Sequence, residues 1–196
     1  MRKVIANEFL SLDGVAQAPG GADEDPSGGF THGGWHMQYM QDEAAQQWVL
    51  ASIVEAGAFL LGRRTYEIFA AYWPNASAEE QVIARPLNTK PKHVASTTLD
   101  RPLEWENSTL LEGDVAAAVA ALKQEDGSDI HVIGSTQLVQ TLIEHDLVDE
   151  FRLMIDPVIL GGGKRIFRDD GARRSFRLVD GRVASTGAIL ATYARA

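Results

Sequence analysis

The chain has 196 residues, of which 45% are hydrophobic, and this is enough for one domain with a substantial core. Its 27 acidic side chains outnumber 18 basic ones, and the net charge of −9 argues against general nucleic-acid binding, which requires phosphate neutralisation. The absence of cysteine excludes disulfides, thiolate catalysis and cysteine-based metal sites.

The N-terminal region contains no apolar segment of the kind found in secretory leaders. No run of residues approaches the ~18 apolar positions that a membrane-spanning helix needs. We therefore expect a cytoplasmic protein with no membrane partner and no nucleic-acid partner.

The first predicted elements are a strand at residues 4–9 and a turn at residues 11–14. Residues 16–36 are rich in Gly, Pro and Asp and are predicted to form a long loop. A loop of about 20 residues inside a compact domain is uncommon and is often functional. Apolar residues at helical spacing then predict a helix over residues 42–56, with Asp42 as its N-cap.

Strands and helices alternate along the next hundred residues. The predicted elements are a strand at 58–61, a short helix at 64–72, a helical segment at 79–88, strands at 92–96 and 108–111, a helix at 114–123 capped by Asp114, a strand at 130–133, a helix opening at 134–135 and a strand at 148–155. Strands at 175–179 and 187–193 follow with no helix between them and are predicted to be joined by a turn around Gly181. This order predicts an α/β fold with a mostly parallel central sheet, helices on its faces and antiparallel C-terminal strands.

Three predicted strand ends share one pattern, in which an apolar strand is followed by glycine or serine and by small hydroxylated or basic residues. They are Gly62-Arg63-Arg64-Thr65, Ser96-Thr97-Thr98 and Gly134-Ser135-Thr136. Ligands of open α/β sheets collect at the carboxyl ends of strands, and helix N-termini and arginine favour phosphate. A ligand with a pyrophosphate and a separate monophosphate, such as NADP, would use all three, although the G-x-G-x-x-G fingerprint is absent. Glycine turns with surface arginines are the alternative.

Two further segments are candidates for contact with a substrate. Asp13 ends the first strand and could orient a polar substrate or relay a proton, and a plain Asp-Gly turn residue is the alternative. Gly161-Gly162-Gly163 does not begin a P-loop, because Arg165 stands where Ser or Thr is required. The backbone of this glycine segment could approach a ligand closely, or the segment could be a flexible turn.

Two histidines are candidate metal ligands. His32 and His36 have the i, i+4 spacing of ligands on a helix. They lie in a glycine-rich loop with no obvious third ligand, so no metal is predicted. His93 and His131 fall inside predicted strands and are predicted to be structural.

Taken together, these segments resemble the dihydrofolate reductase-like family, and most closely the branch around the reductase domain of bacterial riboflavin biosynthesis. The motifs that carry the resemblance are Ser11-Leu12-Asp13-Gly14, residues 62–67, Val94-Ala95-Ser96-Thr97, Ile133-Gly134-Ser135 and the segment 149–167. The resemblance covers nearly the whole chain. It implies one domain with a three-layer α/β fold, NADPH as hydride donor and a homodimer.

The resemblance also implies roles for individual residues. Residues 62–65 would hold cofactor phosphates, Ser96-Thr97 would lie near the adenosine 2′-phosphate, and residues 134–136 would meet the pyrophosphate. Asp13 and residues 161–163 would face the substrate. The predicted loop after the first strand would close over the nicotinamide.

The predicted first helix departs from the pattern of dihydrofolate reductase itself. That enzyme carries a pterin-binding carboxylate on this helix, whereas the corresponding residues here are Ala44-Ala45-Gln46-Gln47-Trp48. We therefore expect an NADPH-dependent reductase of a small polar pteridine-, pyrimidine- or sugar-like molecule, resembling 5-amino-6-(5-phosphoribosylamino)uracil reductase, rather than a folate reductase. A non-catalytic nucleotide- or ligand-binding module on the same fold is the alternative.

Overall fold

A computed structural model of the chain describes all 196 residues. Its strands are β1 (Val4–Ser11), β2 (Ala58–Gly62), β3 (Lys92–Ala95), β4 (Ser108–Leu110), β5 (Ile130–Ile133), β6 (Glu150–Asp156), β7 (Phe176–Val183) and β8 (Ile189–Arg195). Its α-helices are α1 (Glu43–Glu55), α2 (Arg63–Tyr72), α3 (Gln81–Thr89), α4 (Val115–Gln124) and α5 (Thr136–Glu144). No helix is both long enough and apolar enough to cross a bilayer.

The eight strands form one sheet in the order β4-β3-β2-β5-β1-β6-β8-β7. Neighbours among β1 to β6 are parallel, whereas β8 runs antiparallel to both β6 and β7. A parallel neighbour needs a long crossover, and the chain carries no α-helix after β6. The predicted mostly parallel sheet with an antiparallel C-terminal edge is confirmed.

Helices cover both faces of the sheet, as β2 illustrates. Leu60 packs into the core cluster that contains residues of α4 and α5. Its neighbours Phe59 and Leu61 pack into a second cluster with residues of α1, α2 and α3. Successive side chains of a strand point to opposite faces, so a strand buried on both faces reads as a continuous apolar run.

Two predicted helix caps are present in the structure. The Asp42 carboxylate accepts a hydrogen bond from the Ala45 amide at 2.9 Å, at the start of α1. Asp114 does the same for the Ala117 amide at 2.8 Å, at the start of α4. Each aspartate satisfies a backbone donor that has no partner within its helix.

The predicted turn around Gly181 is wrong. Gly181 lies inside β7, close to an irregularity in the pairing between Leu178 and Asp180. The hairpin turns further on, where the Gly187 amide donates to the Ala184 carbonyl at 2.9 Å. Gly187 has a φ of 85°, which is the conformation that a turn glycine supplies. The Asp-Gly pair was misleading because it is a strong hairpin signal in isolation.

Candidate active site

The carboxyl ends of β3, β2 and β5, together with residues 7–9 of the neighbouring β1, line one cavity of about 1110 Å³. These strands are consecutive in the sheet, so their ends lie side by side. The cavity is lined by every residue predicted to bind a cofactor: Gly62, Arg63, Arg64, Thr65, Ser96, Thr97, Gly134, Ser135 and Thr136. The structure brings the three strand ends together, and their role in cofactor binding stays a prediction.

A single hydroxyl joins the ends of β2 and β5. The Ser135 hydroxyl donates to the Ile133 carbonyl at 3.1 Å and accepts from the Gly62 amide at 2.9 Å. Ser135 adopts a left-handed conformation, with a φ of 63°. A Cβ atom added to Gly134 would lie 3.6 Å from the Thr65 hydroxyl, so the two strand ends are closely packed. This arrangement fixes the relative position of the first turns of α2 and α5.

The helices α2 and α5 both begin at the cavity without a side-chain cap. The first backbone N–H groups of an α-helix have no acceptor within the helix. Together with the helix dipole, such groups favour an anion. The cavity therefore combines two uncapped helix starts with the guanidinium groups of Arg63 and Arg64.

Basic side chains at the cavity are held by carboxylates. Arg63 pairs with Glu67 on α2 at 3.0 Å. Arg64 pairs with Asp25, and the Lys164 ammonium contacts the second oxygen of the same Asp25 carboxylate at 2.5 Å. Burial opposes the ionisation of Asp25, but hydrogen bonds from Lys164 and Ser27 outweigh it and hold the pKa of this carboxyl below its usual value.

Residues 16–36 fold around the side chain of Gln17, which is 3% exposed. Its amide nitrogen donates to the backbone carbonyls of Asp25 and Ser27, at 2.8 and 2.9 Å. Its side-chain amide oxygen accepts a hydrogen bond from the Lys164 backbone amide at 3.0 Å. The backbone carbonyl of Gln17 accepts one from the Trp35 indole at 2.8 Å. The predicted loop thus has a defined conformation that forms one wall of the cavity.

Asp13 and the triple glycine lie outside the set of residues that line the cavity. The Asp13 carboxylate accepts hydrogen bonds from the Ser11 hydroxyl at 2.7 Å and from the backbone amides of Leu160 and Gly161 at 3.1 and 2.9 Å. The bond from Ser11, with further help from these amides, lowers the pKa of Asp13 to about 2. Asp13 therefore organises the 160s segment, and its predicted catalytic role and the substrate contacts of residues 161–163 stay predictions.

Glu8 and Lys164 are ionisable residues of the cavity lining that were not among the site residues predicted from the sequence. Glu8 is only 4% exposed and makes no hydrogen bond or ion pair, and burial raises the pKa of its carboxyl well above the ordinary value. A signal was available, because Glu8 shares one face of β1 with the core residues Val4, Ala6 and Leu10. An acid on such a face is rarely buried unless it is paired.

The two histidines with i, i+4 spacing lie in different environments. His36 is buried, bonds the Asp156 carboxylate at 2.7 Å and stacks on Phe9, whereas His32 is exposed. No group of three or more His, Cys, Asp or Glu side chains is placed to hold a metal ion. His131 lies in β5, and burial lowers its pKa to about 4.

Comparison with known proteins decides the family. Residues 2–190 match the sequence model of the RibD C-terminal domain. The chain belongs to the RibD C-terminal domain family. A relative in Bacillus subtilis (strain 168), named "Uncharacterized protein YyaP", is 29% identical over 98% of this chain and 94% of its own length. A second protein of that organism, named "Uncharacterized protein YwjB", is 32% identical over 56% of this chain and 58% of its own length.

Two solved structures share the fold of this RibD C-terminal domain. One is a protein from Shewanella sp. PV-4, described provisionally as a riboflavin biosynthesis protein, with a TM-score of 0.67, 20% identity and coverage of 99% of both chains. The other is a pyrimidine reductase-like protein from Corynebacterium diphtheriae, with a TM-score of 0.67, 14% identity and coverage of 100% of this chain and 92% of that one. The resemblance to the riboflavin branch of the dihydrofolate reductase-like superfamily is confirmed, and so is the three-layer α/β fold. At the level of the family, these findings support a riboflavin-type reductase.

Proposed function

We propose that the protein is an NADPH-dependent reductase of a small polar substrate that is pteridine-, pyrimidine- or sugar-like. The observation that carries the proposal is the convergence of three strand ends, with their arginines, hydroxyls and glycines, on one cavity. Membership of the RibD C-terminal domain family supports the reaction type. A substrate related to 5-amino-6-(5-phosphoribosylamino)uracil is the first to test.

The donor set of the cavity fits a phosphorylated cofactor. The first turn of α5 at residues 135–136 would take the pyrophosphate, because its backbone donors are uncapped. Arg63, Arg64 and the Ser96-Thr97 hydroxyls would take the 2′-phosphate, because arginine forks match phosphate geometry. When bound, NADPH supplies the hydride.

In this proposal the protein positions the hydride donor and the substrate and excludes water from them. Residues 16–20 and Asp25 form a wall of the cavity, so a ligand in it is covered by this segment. Holding donor and acceptor in a reactive geometry lowers the barrier by removing the entropy cost of bringing them together. In this proposal the substrate lies against β1, where Asn7, Glu8 and Phe9 line the cavity.

Titration with NADPH by fluorescence, with NADH as the control cofactor, tests the cofactor assignment. We expect tighter binding of NADPH, and weaker NADPH binding by Arg63→Gln and Arg64→Gln. Arg173→Gln is a matched control, because Arg173 is exposed and lies outside the cavity. Equal affinity for NADPH and NADH would contradict the role given to these arginines.

The non-catalytic module is separated from the reductase by turnover. Absorbance of NADPH is followed with 5-amino-6-(5-phosphoribosylamino)uracil and, for comparison, dihydrofolate. We expect oxidation with the former and little with the latter. Binding of NADPH without oxidation by any pyrimidine or pteridine tested would favour the binding module.

We also propose that a second copy of the chain pairs with the outer edge of β7. Leu178, Val179 and Val183 are each more than half exposed on this strand, whose outer edge has no partner. Pairing of this edge with its own copy about a two-fold axis would bury both the edge and these side chains. Light scattering of the wild type and Val183→Lys tests this, because a dimer is expected for the former and a monomer for the latter. A monomeric wild type would contradict the proposal.

A further inference from the structure

Glu8 is an ionisable side chain of the cavity that the structure leaves without a partner. It lies in the middle of β1, is 4% exposed and lines the cavity. Its Oε1 atom is fully enclosed and has no hydrogen-bond partner, and the carboxyl forms no ion pair. A buried, uncompensated carboxylate is costly in free energy, so this environment favours the neutral form of the group, an acid that carries a proton.

Asp13, the other candidate acid of this region, is in the opposite protonation state, because its carboxyl is ionised. Three donors hold its carboxylate in the ionised form, and Arg165 contacts both its backbone and its side chain. An acid that is ionised at neutral pH and occupied by backbone amides has no proton to deliver. The environments of Glu8 and Asp13 thus favour opposite protonation states, because one carboxyl is enclosed without donors and the other is surrounded by them.

We propose that Glu8 is the proton donor of the reduction, a role that rests on the proposed function. It lies on the wall of the cavity formed by β1 and faces the space that the three strand ends enclose. A general acid must have both a proton and access to the reacting group, and Glu8 combines them. Lys164 is a further proton carrier of the cavity lining, but its ammonium is held by Asp25.

The step is balanced by one hydride and one proton. The carbon of the substrate C=O or C=N receives hydride from the reduced cofactor, and the π electron pair moves to the oxygen or nitrogen. Glu8 gives its O–H proton to that atom, so the product is an alcohol or an amine and Glu8 is left as a carboxylate. Water entering the open cavity returns the proton before the next turnover.

Infrared spectroscopy of the protein without cofactor provides a test that does not depend on activity. The wild type should show the C=O band of a protonated carboxylic acid at neutral pH, and Glu8→Gln should lose it. Glu150→Gln is the matched control, because Glu150 is also buried in the sheet but is paired with Lys3 and Arg152 outside the cavity. If Glu8→Gln loses no such band, the proposal is overturned.

Single-turnover kinetics with NADPH and 5-amino-6-(5-phosphoribosylamino)uracil test the role itself. We expect Glu8→Gln to slow turnover by roughly 100-fold or more, the usual contribution of a general acid, with the Kd for NADPH unchanged. Glu8→Asp keeps an acid and should retain more activity than Glu8→Gln, and Glu150→Gln should match the wild type. Both Glu8 variants are compared by thermal unfolding, so that loss of fold is distinguished from loss of the proton.

Failure of this role and failure of the proposed function give different results. A wild type that binds no NADPH would overturn the proposed function, and the role of Glu8 would fall with it. A wild type that binds NADPH and turns over, together with an equally fast Glu8→Gln, would overturn the role of Glu8 alone.

Discussion

Asp25 lies against the Arg64 guanidinium, although the two residues belong to different parts of the cavity wall. The carboxylate comes from the segment after β1, and the arginine is the second residue of α2. The Lys164 ammonium shares the same carboxylate at 2.5 Å. An anionic ligand that approaches Arg64 must therefore compete with a carboxylate that is already in place.

Asp25→Asn is expected to strengthen NADPH binding, since it frees Arg64 and Lys164 from their partner. We expect the Kd for NADPH to fall roughly fivefold, which corresponds to about 1 kcal/mol of removed ion pairing for partly exposed groups. Fluorescence titration measures the change. Asp23→Asn is the control, because Asp23 is an exposed residue of the same segment with no ion pair. Weaker binding by Asp25→Asn alone would instead mean that Asp25 organises the site for the ligand.

The Ser135 hydroxyl is expected to contribute measurably to stability because it accepts the Gly62 amide. Ser135→Ala removes this acceptor while keeping the left-handed backbone, and we expect a loss of about 1 kcal/mol in the free energy of unfolding. Ser135→Gly also removes the acceptor, but glycine adopts a φ of 63° without strain, so its net effect should be smaller. Urea unfolding of both variants measures the difference. A glycine variant less stable than the alanine variant would contradict this account.

Acidification is expected to destabilise the protein partly through His131, which is 1% exposed in β5. Burial and, secondarily, the charge of Arg152 lower its pKa to about 4, whereas an unfolded histidine has a pKa near 6.5. Between these values the unfolded state binds a proton that the native state does not. The free energy of unfolding therefore falls as the pH decreases from about 6.5 to 4, by up to about 1.4 kcal/mol per pH unit.

The contribution of His131 is isolated by comparing variants across this pH range. His131→Gln should lose stability less steeply than the wild type, because it removes the titrating group. His145→Gln, which changes an exposed histidine at the end of α5, should follow the wild-type curve. Parallel curves for the wild type and His131→Gln would disprove the assignment.

Gly163→Ala is expected to be strongly destabilising. A Cβ atom at this position would lie 2.6 Å from a Val15 methyl carbon, and the φ of 128° is unfavourable for any residue with a side chain. We expect a loss of roughly 2–4 kcal/mol in the free energy of unfolding. Gly162→Ala is the neighbouring control, since Gly162 has an ordinary φ and its Cβ would meet open space. Denaturant unfolding should separate the two variants clearly, and similar stabilities would contradict the packing argument.

The features predicted most reliably from the sequence are those that depend on residues close together along the chain. The caps Asp42 and Asp114 are local features, and both are confirmed. The convergence of the strand ends at Gly62 and Gly134 was also predictable, because parallel strands share one carboxyl edge. Gly181 shows the limit of local signals, since its Asp-Gly pair lies within a strand that continues for two more residues.

The candidate site was predicted less completely because its chemistry depends on distant contacts. Besides its local bond from the Ser11 hydroxyl, the Asp13 carboxylate accepts hydrogen bonds from the amides of Leu160 and Gly161, almost 150 residues away in the sequence. Lys164 lines the cavity next to Gly163, where a Cβ atom would collide with Val15. Neither relationship leaves a local pattern, whereas Glu8 does, as an acid on an apolar strand face.

The position of β8 between β6 and β7 has a consequence for biosynthesis. During translation, β6 emerges well before the residues 189–195 that pair with it on one side. Until then the edge of β6 is unpaired, and residues that are buried in the folded protein, such as Leu153 and Met154, are exposed. This edge can then pair with strands of other chains. We therefore expect the sheet to close only after synthesis of β8, and ribosome-stalled chains that lack these residues to need chaperone protection.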